Sequence, residues 1–470
     1  MALPEDFVRR MRLLLGDAYE VFERSLQAET PVSIRLNPGK GLAVPQDAEP
    51  VPWCETGYYL SRRWSFTFDP LFHAGGYYVQ EASSMFLEQA VRHYVTKPVR
   101  CLDLCAAPGG KSTHLASLLP AGSLLVSNEV IRSRSQVLAE NMAKWGTLHT
   151  IVTNNDPAEL GQLHHLFDVI VADVPCSGEG MFRKDTDSTG EWSVANVQLC
   201  AARSRRIIHD IWDALCPGGI LVYSTCTYNM EEDEENVRYF VEELGATALP
   251  VPTDPQWQVT GALRYDHPAY HFFPHRTRGE GFFLAVLQKA AGEREEMTLP
   301  ARKSGKKGKR EIAPADPIGN RLLTQLCAAH PTLQSCSSSS GTLGIATQEV
   351  AALLPYLSAC RVLSAGVPLG ESKGKDFVPS HALALCPALP EHLFPRVELT
   401  WEEAVRYLKK EALLLPAGVE KGFLLVTYKN IPLGFVKQVG NRANNLYPQE
   451  WRIRTGYLPD DLLIYPGEKS

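Results

Sequence analysis

Two cysteines stand where a thiol can act. Cys176 lies in Asp173-Val174-Pro175-Cys176-Ser177-Gly178-Glu179-Gly180, just after the apolar run Phe167 to Ala172, and Cys226 lies in Ser224-Thr225-Cys226-Thr227, at the end of the run Ile220 to Ser224. They are fifty residues apart in the chain. If both runs are strands of one sheet with helical crossovers, their carboxyl ends open into the same crevice, where ligands bind. A lone free cysteine is usually a small buried hydrophobe. Two at strand ends beside a ligand loop point instead to covalent catalysis, since the thiolate is a strong nucleophile near neutral pH.

The ligand loop is Cys105-Ala106-Ala107-Pro108-Gly109-Gly110-Lys111-Ser112, directly after Val99 to Leu104. Two glycines behind a proline let a backbone come close to a bound molecule, although an ordinary strand-to-helix turn reads the same way. Glu129 follows Gly109 by 20 residues, at the end of the next apolar strand. That is the separation at which an acid meets ribose hydroxyls in nucleotide-binding α/β folds. Neither G-x-G-x-x-G nor G-x-x-x-x-G-K-[ST] is present, which disfavours dinucleotides and triphosphates. Asp156 and Asp173 follow two further strands, where acids can hold an adenine amino group or an amino-acid ammonium. S-adenosyl-L-methionine has that profile. Asp156 alone, in Thr153-Asn154-Asn155-Asp156-Pro157, also reads as an Asx turn or helix cap.

The elements that must position these residues alternate along the chain. Arg100 to Leu104, Ser123 to Ser127, His149 to Thr153, Phe167 to Ala172, Ile220 to Ser224 and Gly281 to Leu287 read as strands. Lys111 to Leu119, Arg132 to Trp145, Val194 to Leu215 and Glu231 to Leu244 read as helices, and Cys216-Pro217-Gly218-Gly219 as a helix stop before a strand. The rhythm predicts an α/β, Rossmann-like domain over 96–290, with a mostly parallel sheet covered on both faces. Residues 1–95 read as a small α+β domain with a helical start and extended pieces, including Pro31 to Leu36. Residues 291–315 read as a flexible basic linker around Ala301 to Arg310, 316–387 as an intermediate C-terminal domain with a serine run at Ser337 to Ser340, and 388–470 as a β-rich module. In that module Phe423 to Tyr428 and Ile431 to Val439 form a hairpin across Lys429-Asn430.

Composition narrows the classes further. The 470 residues are 44% hydrophobic and 21% charged, ordinary for folded domains. The net charge of -6 shows no global basic excess, so any nucleic-acid surface must be local. No apolar run reaches membrane length and the N-terminus has no signal-peptide core, so a cytoplasmic protein is expected, away from membranes. Eleven cysteines without a C-x-x-C pair indicate free thiols, with no disulfide framework and no metal site.

CAAPGGK, DVPCSGEG and STCT followed by the acid-rich EEDEEN together resemble the Nol1/Nop2/Sun family of RNA 5-methylcytosine methyltransferases. Gly76-Tyr77-Tyr78-Val79-Gln80-Glu81-Ala82-Ser83-Ser84-Met85 and Phe273-Pro274-His275 with Gly279-Glu280-Gly281-Phe282-Phe283 resemble other family stretches. Lys421-Gly422 and Leu433-Gly434-Phe435-Val436-Lys437 are similar to the bacterial small-subunit ribosomal RNA group within it. The likeness covers most of the chain. It is weakly characteristic over 311–385, and Val174 stands where many members carry alanine.

The resemblance implies a class I S-adenosylmethionine methyltransferase fold with a PUA-like C-terminal module, acting on 16S ribosomal RNA or the 30S subunit as a monomer. It implies Cys226 as the nucleophile that adds to cytosine C6, and Cys176 as the aid to release. Asp173 would hydrogen-bond the ring. Cys105, Ala106, Ala107, Pro108, Gly109, Gly110 and Lys111 would surround the methionine and ribose end of the cofactor, Glu129 its ribose hydroxyls, and Asp156 and Asp173 its adenine and the reacting groups. Arg134 is a further member or a solvated helix face. Lys184 is expected to favour thiolate by its charge or to meet RNA, and Tyr77, Tyr78, His275, Arg276, Arg278, Lys429, Lys437 and Arg442 to line the RNA path. A paired base would have to flip to reach the thiol.

Two rivals are weaker. Amino-group methylation would use an aromatic platform after Asp173-Val174-Pro175, where Cys176 stands instead, and would leave Cys226 idle. An RNA-binding assembly factor without turnover would be expected to have lost a cysteine or broken the CAAPGGK loop, and both are intact. By type alone, a Pro-Cys thiol such as Cys176 could also be the attacking group. Transfer RNA is an alternative substrate.

Overall fold

The computed structural model describes residues 3–184, 186–294, 317–337, 342–374, 376–416, 418–440, 442–458 and 461–465. The basic run Ala301 to Arg310 and most of the serine run after Ser337 lie outside the described residues.

A nine-stranded sheet forms the centre. Its strands are β1 (Arg100–Asp103), β2 (Leu124–Asn128), β3 (Thr150–Thr153), β4 (Phe167–Asp173), β5 (Leu215–Thr225), β6 (Thr247–Leu249), β7 (Tyr270–Phe272), β8 (Phe282–Gln288) and β9 (Val362–Ala365). They lie in the order β6-β8-β5-β4-β1-β2-β3-β9, with β7 on β8. The pairs β3–β2, β2–β1, β1–β4 and β4–β5 are parallel. The strand order therefore reverses at β1, and the crevice beside it is where a doubly wound sheet binds its ligand.

Alternation along the strands feeds two cores, as a sheet buried on both faces requires. Leu102, Val126, Ile151 and Ile170 join Ile207, Ile208 and Ile211 of helix α4 (Val194–Ile211) and Val237 and Phe240 of α5 (Glu234–Leu244). Their neighbours Cys101, Leu125, Val152 and Val169 face Leu115 of α1 (Gly110–Leu118) and Leu138, Met142 and Trp145 of α2 (Arg132–Trp145). A short helix, α3 (Pro157–Gly161), follows β3.

Three features differ from the sequence reading. Helix α4 ends at Ile211, not Leu215, and Pro217-Gly218-Gly219 lies inside β5 as an irregularity. Leu215 pairs with Phe167, the register then shifts, and pairing resumes at Ile220 with Val169. Second, β9 comes from the segment expected as an intermediate domain, and pairs antiparallel with β3 at the sheet edge. Third, the terminal regions share a core: Ile34, Trp64, Phe66 and Tyr77 pack with Tyr407, Leu424, Val426, Tyr447 and Tyr465. The expected hairpin forms, Gly422–Tyr428 against Ile431–Gln438, with Lys429 and Asn430 both at positive φ, as a type I′ turn requires. No helix among the described residues is long and apolar enough to cross a membrane.

Candidate active site

The loop after β1 is held from outside, leaving its inner face toward the crevice. Ala106 N donates to Asn128 O (2.8 Å), Arg134 Nη2 to Ala107 O (2.8 Å) and Asn141 Nδ2 to Pro108 O (2.7 Å). Gly109 sits at φ +118°, a conformation that glycine adopts without strain, and hands the chain into α1. Glu129 is buried, accepts from Ile131 N (2.9 Å) and lies 3.5 Å from Arg134 Nη1. Arg134 thus reaches the loop and its acid from an exposed position on the helix, its side chain 49% exposed.

Asp103, at the end of β1, was not singled out in the sequence. It is fully buried, accepts from Ser112 Oγ (2.6 Å), and its Oδ1 has no partner among the described residues. Burial pushes its carboxyl up to about 7, against the opposing pull of Ser112 and Lys111. An orphaned buried acceptor beside a glycine loop and a buried ribose-spaced acid fits a cationic amino-acid and nucleoside ligand. Asp156 is placed otherwise: its exposed carboxylate accepts from Ala158 N (3.0 Å) and caps α3, with Glu159 reciprocating in a capping box.

The two thiols meet. Cys176 Sγ and Cys226 Sγ are 2.9 Å apart, both half-buried, and Cys226 N points at Cys176 Sγ (3.3 Å). The hydrogen bond to Cys226, then burial, then the nearby Cys226 charge hold Cys176 well above the usual thiol range, so Cys176 keeps its proton. Beside them Lys111 Nζ contacts Asp173 Oδ2 (2.8 Å), and Ser224 Oγ donates to Asp173 Oδ1 (2.8 Å). Burial pulls the Lys111 ammonium down, but Asp173, Asp103 and Cys226 together lift it above its ordinary value. Lys111 and Cys226 thus share one cluster of charges. Lys184 is exposed, and its charge acts on Glu280.

Two buried glutamates tie the cysteine loops together. Glu179 accepts from Thr227 Oγ1 (2.6 Å), Tyr228 N (2.9 Å) and Trp192 Nε1 (3.0 Å). Glu232 accepts from Ser177 N (2.9 Å) and Asn229 Nδ2 (2.8 Å), and burial pushes it up to about 7. Gly180 N donates to Cys226 O (2.9 Å), and a Cβ on Gly180 would fall 2.4 Å from Gly281 O and 2.9 Å from Cys226 O. Only glycine fits there. The sequence showed these acids inside DVPCSGEG and EEDEEN, without a sign of which ones turn inward.

Arg35 was also missed. It is buried, donates to Thr113 Oγ1 (2.6 Å), Gln80 Oε1 (2.9 Å) and Gly110 O (3.2 Å), and stacks over Trp145 at 4.6 Å. Its one signal was a charge inside the strand-like Ser33-Ile34-Arg35-Leu36.

The residues expected on an RNA path separate. Tyr77 is corrected: it is buried, donates to Asp69 Oδ2 (2.6 Å) and stacks on Tyr465, so it faces the shared terminal core. Tyr78 is half-buried against the glycine loop, 3.4 Å from where a Cβ on Gly110 would sit. Lys437 is paired with Asp376 and lies over the Phe423 ring. Lys429 lies within hydrogen-bond reach of Tyr465 O, and Arg442 is exposed. His275 is half-buried, edge-on to Phe22 and beside the exposed Arg276 and Arg278.

Residues 95–288 match 16S rRNA methyltransferase RsmB/F, residues 3–82 the N-terminal domain of 16S rRNA methyltransferase RsmF, and residues 394–453 the methyltransferase RsmF PUA domain. The chain is 32% identical to ribosomal RNA small subunit methyltransferase F of Erwinia tasmaniensis over 97% of its own length and 98% of that protein's. Identity to the Klebsiella pneumoniae protein of the same name is 32%, over 97% of each. Among solved structures, a methyltransferase homolog protein from Pyrococcus horikoshii is similar over 61% of this chain and 95% of that one, with TM-score 0.52 and 27% identity. NSun6 from Pyrococcus horikoshii, solved with SFG, shares the fold at TM-score 0.52 and 17% identity, over 62% of this chain and 99% of that one. Three matched segments and full-length relatives at this identity show that the chain belongs to the RsmF group of the 16S rRNA methyltransferase RsmB/F family.

Proposed function

We propose that this methyltransferase modifies cytosine at C5 in small-subunit ribosomal RNA through a covalent bond between Cys226 and C6 of the base. The observation that carries the reading is the pair of thiols 2.9 Å apart beside the Lys111–Asp173 ion pair. Methylation of an exocyclic amino group needs no thiol, whereas C5 of cytosine is a poor nucleophile until electrons are pushed into the ring from C6. Contact with Cys226 and burial favour the protonated form of Cys176, and the resemblance at Ser224-Thr225-Cys226 assigns the attack to the Cys226 sulfur. Lys111 supplies positive charge to that sulfur and fixes Asp173, and Asp173 hydrogen-bonds the ring as the electrons move.

S-adenosyl-L-methionine is the methyl donor, and its sulfonium methyl group is what the activated C5 attacks. The loop Cys105 to Lys111 with Asp103 and Arg134 would hold its amino-acid end and Glu129 its ribose. Asp156 at the α3 cap presents a carboxylate toward solvent and would lie at the outer rim of the adenine end. After transfer the C5–H bond breaks, its electron pair forms the C5–C6 double bond, and the C6–sulfur bond breaks with its pair left on Cys226. Cys176, next to the departing sulfur, gives it a proton and as the resulting thiolate takes the proton from C5.

The substrate is either free 16S RNA or the 30S subunit, met in the cytoplasm by a single chain that carries every residue of this site. The test is to supply labelled S-adenosylmethionine with both forms, taken from a strain lacking the enzyme, and to identify the labelled nucleoside after digestion. 5-Methylcytidine is expected. Label confined to another nucleoside, or to transfer RNA, contradicts the reading.

A further inference from the structure

A basic cleft adjoins the cysteine loops. Pro31, Arg183 and the loop 274–279, with His275, Arg276 and Arg278, line an open cleft of about 320 Å³, and among the described residues no carboxylate is part of its lining. Its floor is tied to the nucleophile. Gly180 N holds Cys226 O, and three residues on Arg183 donates to Gly279 O (2.7 Å), Ser25 O (3.1 Å) and buried Glu280 (3.0 Å). Arg183 is therefore spent on holding the loop.

The free charge is elsewhere in the cleft. Arg276 is exposed and makes no ion pair among the described residues. Arg278 meets Glu49 at 2.7 Å, but the side chains are 43% and 70% exposed, where such a pair is weak and readily exchanged for a better anion. The Arg278 guanidinium also lies 4.4 Å over the Tyr59 ring, which fixes its direction. Between them His275 is clamped edge-on by Phe22 at 5.7 Å, with Nδ1 buried and unpartnered among the described residues.

On a chain of net charge -6 a polyanion is drawn in only at local concentrations of positive charge. We infer that this cleft seats a phosphodiester of the substrate RNA beside the target cytidine, with Arg276 and Arg278 as its ligands and Arg183 as the residue that positions their loop. The inference rests on the RNA methylation proposed above. A phosphate held there anchors the backbone on one side of the base that must turn into the Cys226 crevice, and it carries no sequence information itself.

The test compares Arg276→Gln, Arg276→Glu and Arg278→Gln with wild type, using small-subunit RNA as the probe. KM for RNA is expected to rise roughly three- to tenfold in the neutral variants and more than tenfold in Arg276→Glu, with kcat within about twofold. The slope of log affinity against log salt should fall by about one per removed contact. S-adenosylmethionine affinity and melting temperature report that each variant is folded. Arg206→Glu, an equal charge change on the exposed face of α4, serves as the comparison. Unchanged KM and salt slope in Arg276→Glu overturn the site, as does an equal rise in KM for Arg206→Glu or a loss confined to kcat. If wild type itself methylates no RNA, the RNA reading falls and the cleft with it. If wild type methylates RNA and the variants do not differ, the cleft alone falls.

Discussion

Cys176 Sγ lies 2.9 Å from Cys226 Sγ, although the two residues follow different strands of the sheet. Parallel pairing of β4 with β5 sets Asp173 opposite Ser224, and the two loops leave the sheet side by side. In the proposed mechanism Cys226 bonds carbon and Cys176 serves release. The roles are therefore separable. Cys176→Ala is expected to form the RNA adduct and release it slowly, giving a retarded band on a denaturing gel and a loss of turnover of about 10²-fold or more. Normal turnover without that band removes Cys176 from the release step.

Lys111 is the cation of the site. Lys111→Met leaves Asp173 with Ser224 as its partner and removes the positive charge beside the two thiols. We expect kcat to drop by roughly 10²-fold or more and the alkylation rate of Cys226 by iodoacetamide at pH 7 to fall in parallel. An unchanged alkylation rate would mean that Lys111 acts through Asp173 alone.

Arg35, in the strand Val32–Leu36, links the N-terminal region to the glycine loop and its helix. Arg35→Met keeps much of the contact with Trp145 but strands Gln80 and Thr113. We expect a loss on the order of 3 kcal/mol in stability, and weaker S-adenosylmethionine binding, both readable from melting curves with and without cofactor. Loss of stability without loss of affinity would make Arg35 a packing residue only.

Asp103 gives a pH signature. Its ordinary value is 3.8, and burial takes it to about 7 in the folded chain. Between those values the folded state holds a proton that the unfolded chain has released. Stability therefore falls as pH rises through this window and levels off above it. Asp103→Asn should match ligand-free wild type near pH 4 and exceed it above pH 7 by on the order of 4 kcal/mol, while binding cofactor less well. Parallel stability curves across pH would contradict the assignment.

Much of this site was legible in the sequence because its signals are local. Apolar runs ending in Asp173 and Ser224, and the glycine loop after Leu104, mark strand ends without reference to the rest of the chain. What stayed hidden depends on distant partners. Tyr77 reads as an exposed aromatic until Tyr465, nearly four hundred residues on, covers it. Glu232 is one of several acids in EEDEEN, and only the approach of Ser177 N selects it. The Pro217-Gly218-Gly219 bend looks like a helix stop, but it sits within β5, where Gly218 N bonds to Lys289 O and Ala290 O. Strand β9 has no mark of its own beyond being short and apolar, and its place is fixed by pairing with β3.

The most direct measurement is to trap the adduct. A 5-fluorocytidine in the target RNA accepts the thiolate at C6 and the methyl group at C5, but carries no proton there to lose, so the bond to sulfur persists. After digestion, mass spectrometry of the linked peptide should place one methylated fluorocytidine on Cys226, and Cys226→Ala should give none while still binding S-adenosylmethionine. A linkage through Cys176, or continued turnover by Cys226→Ala, would contradict the account.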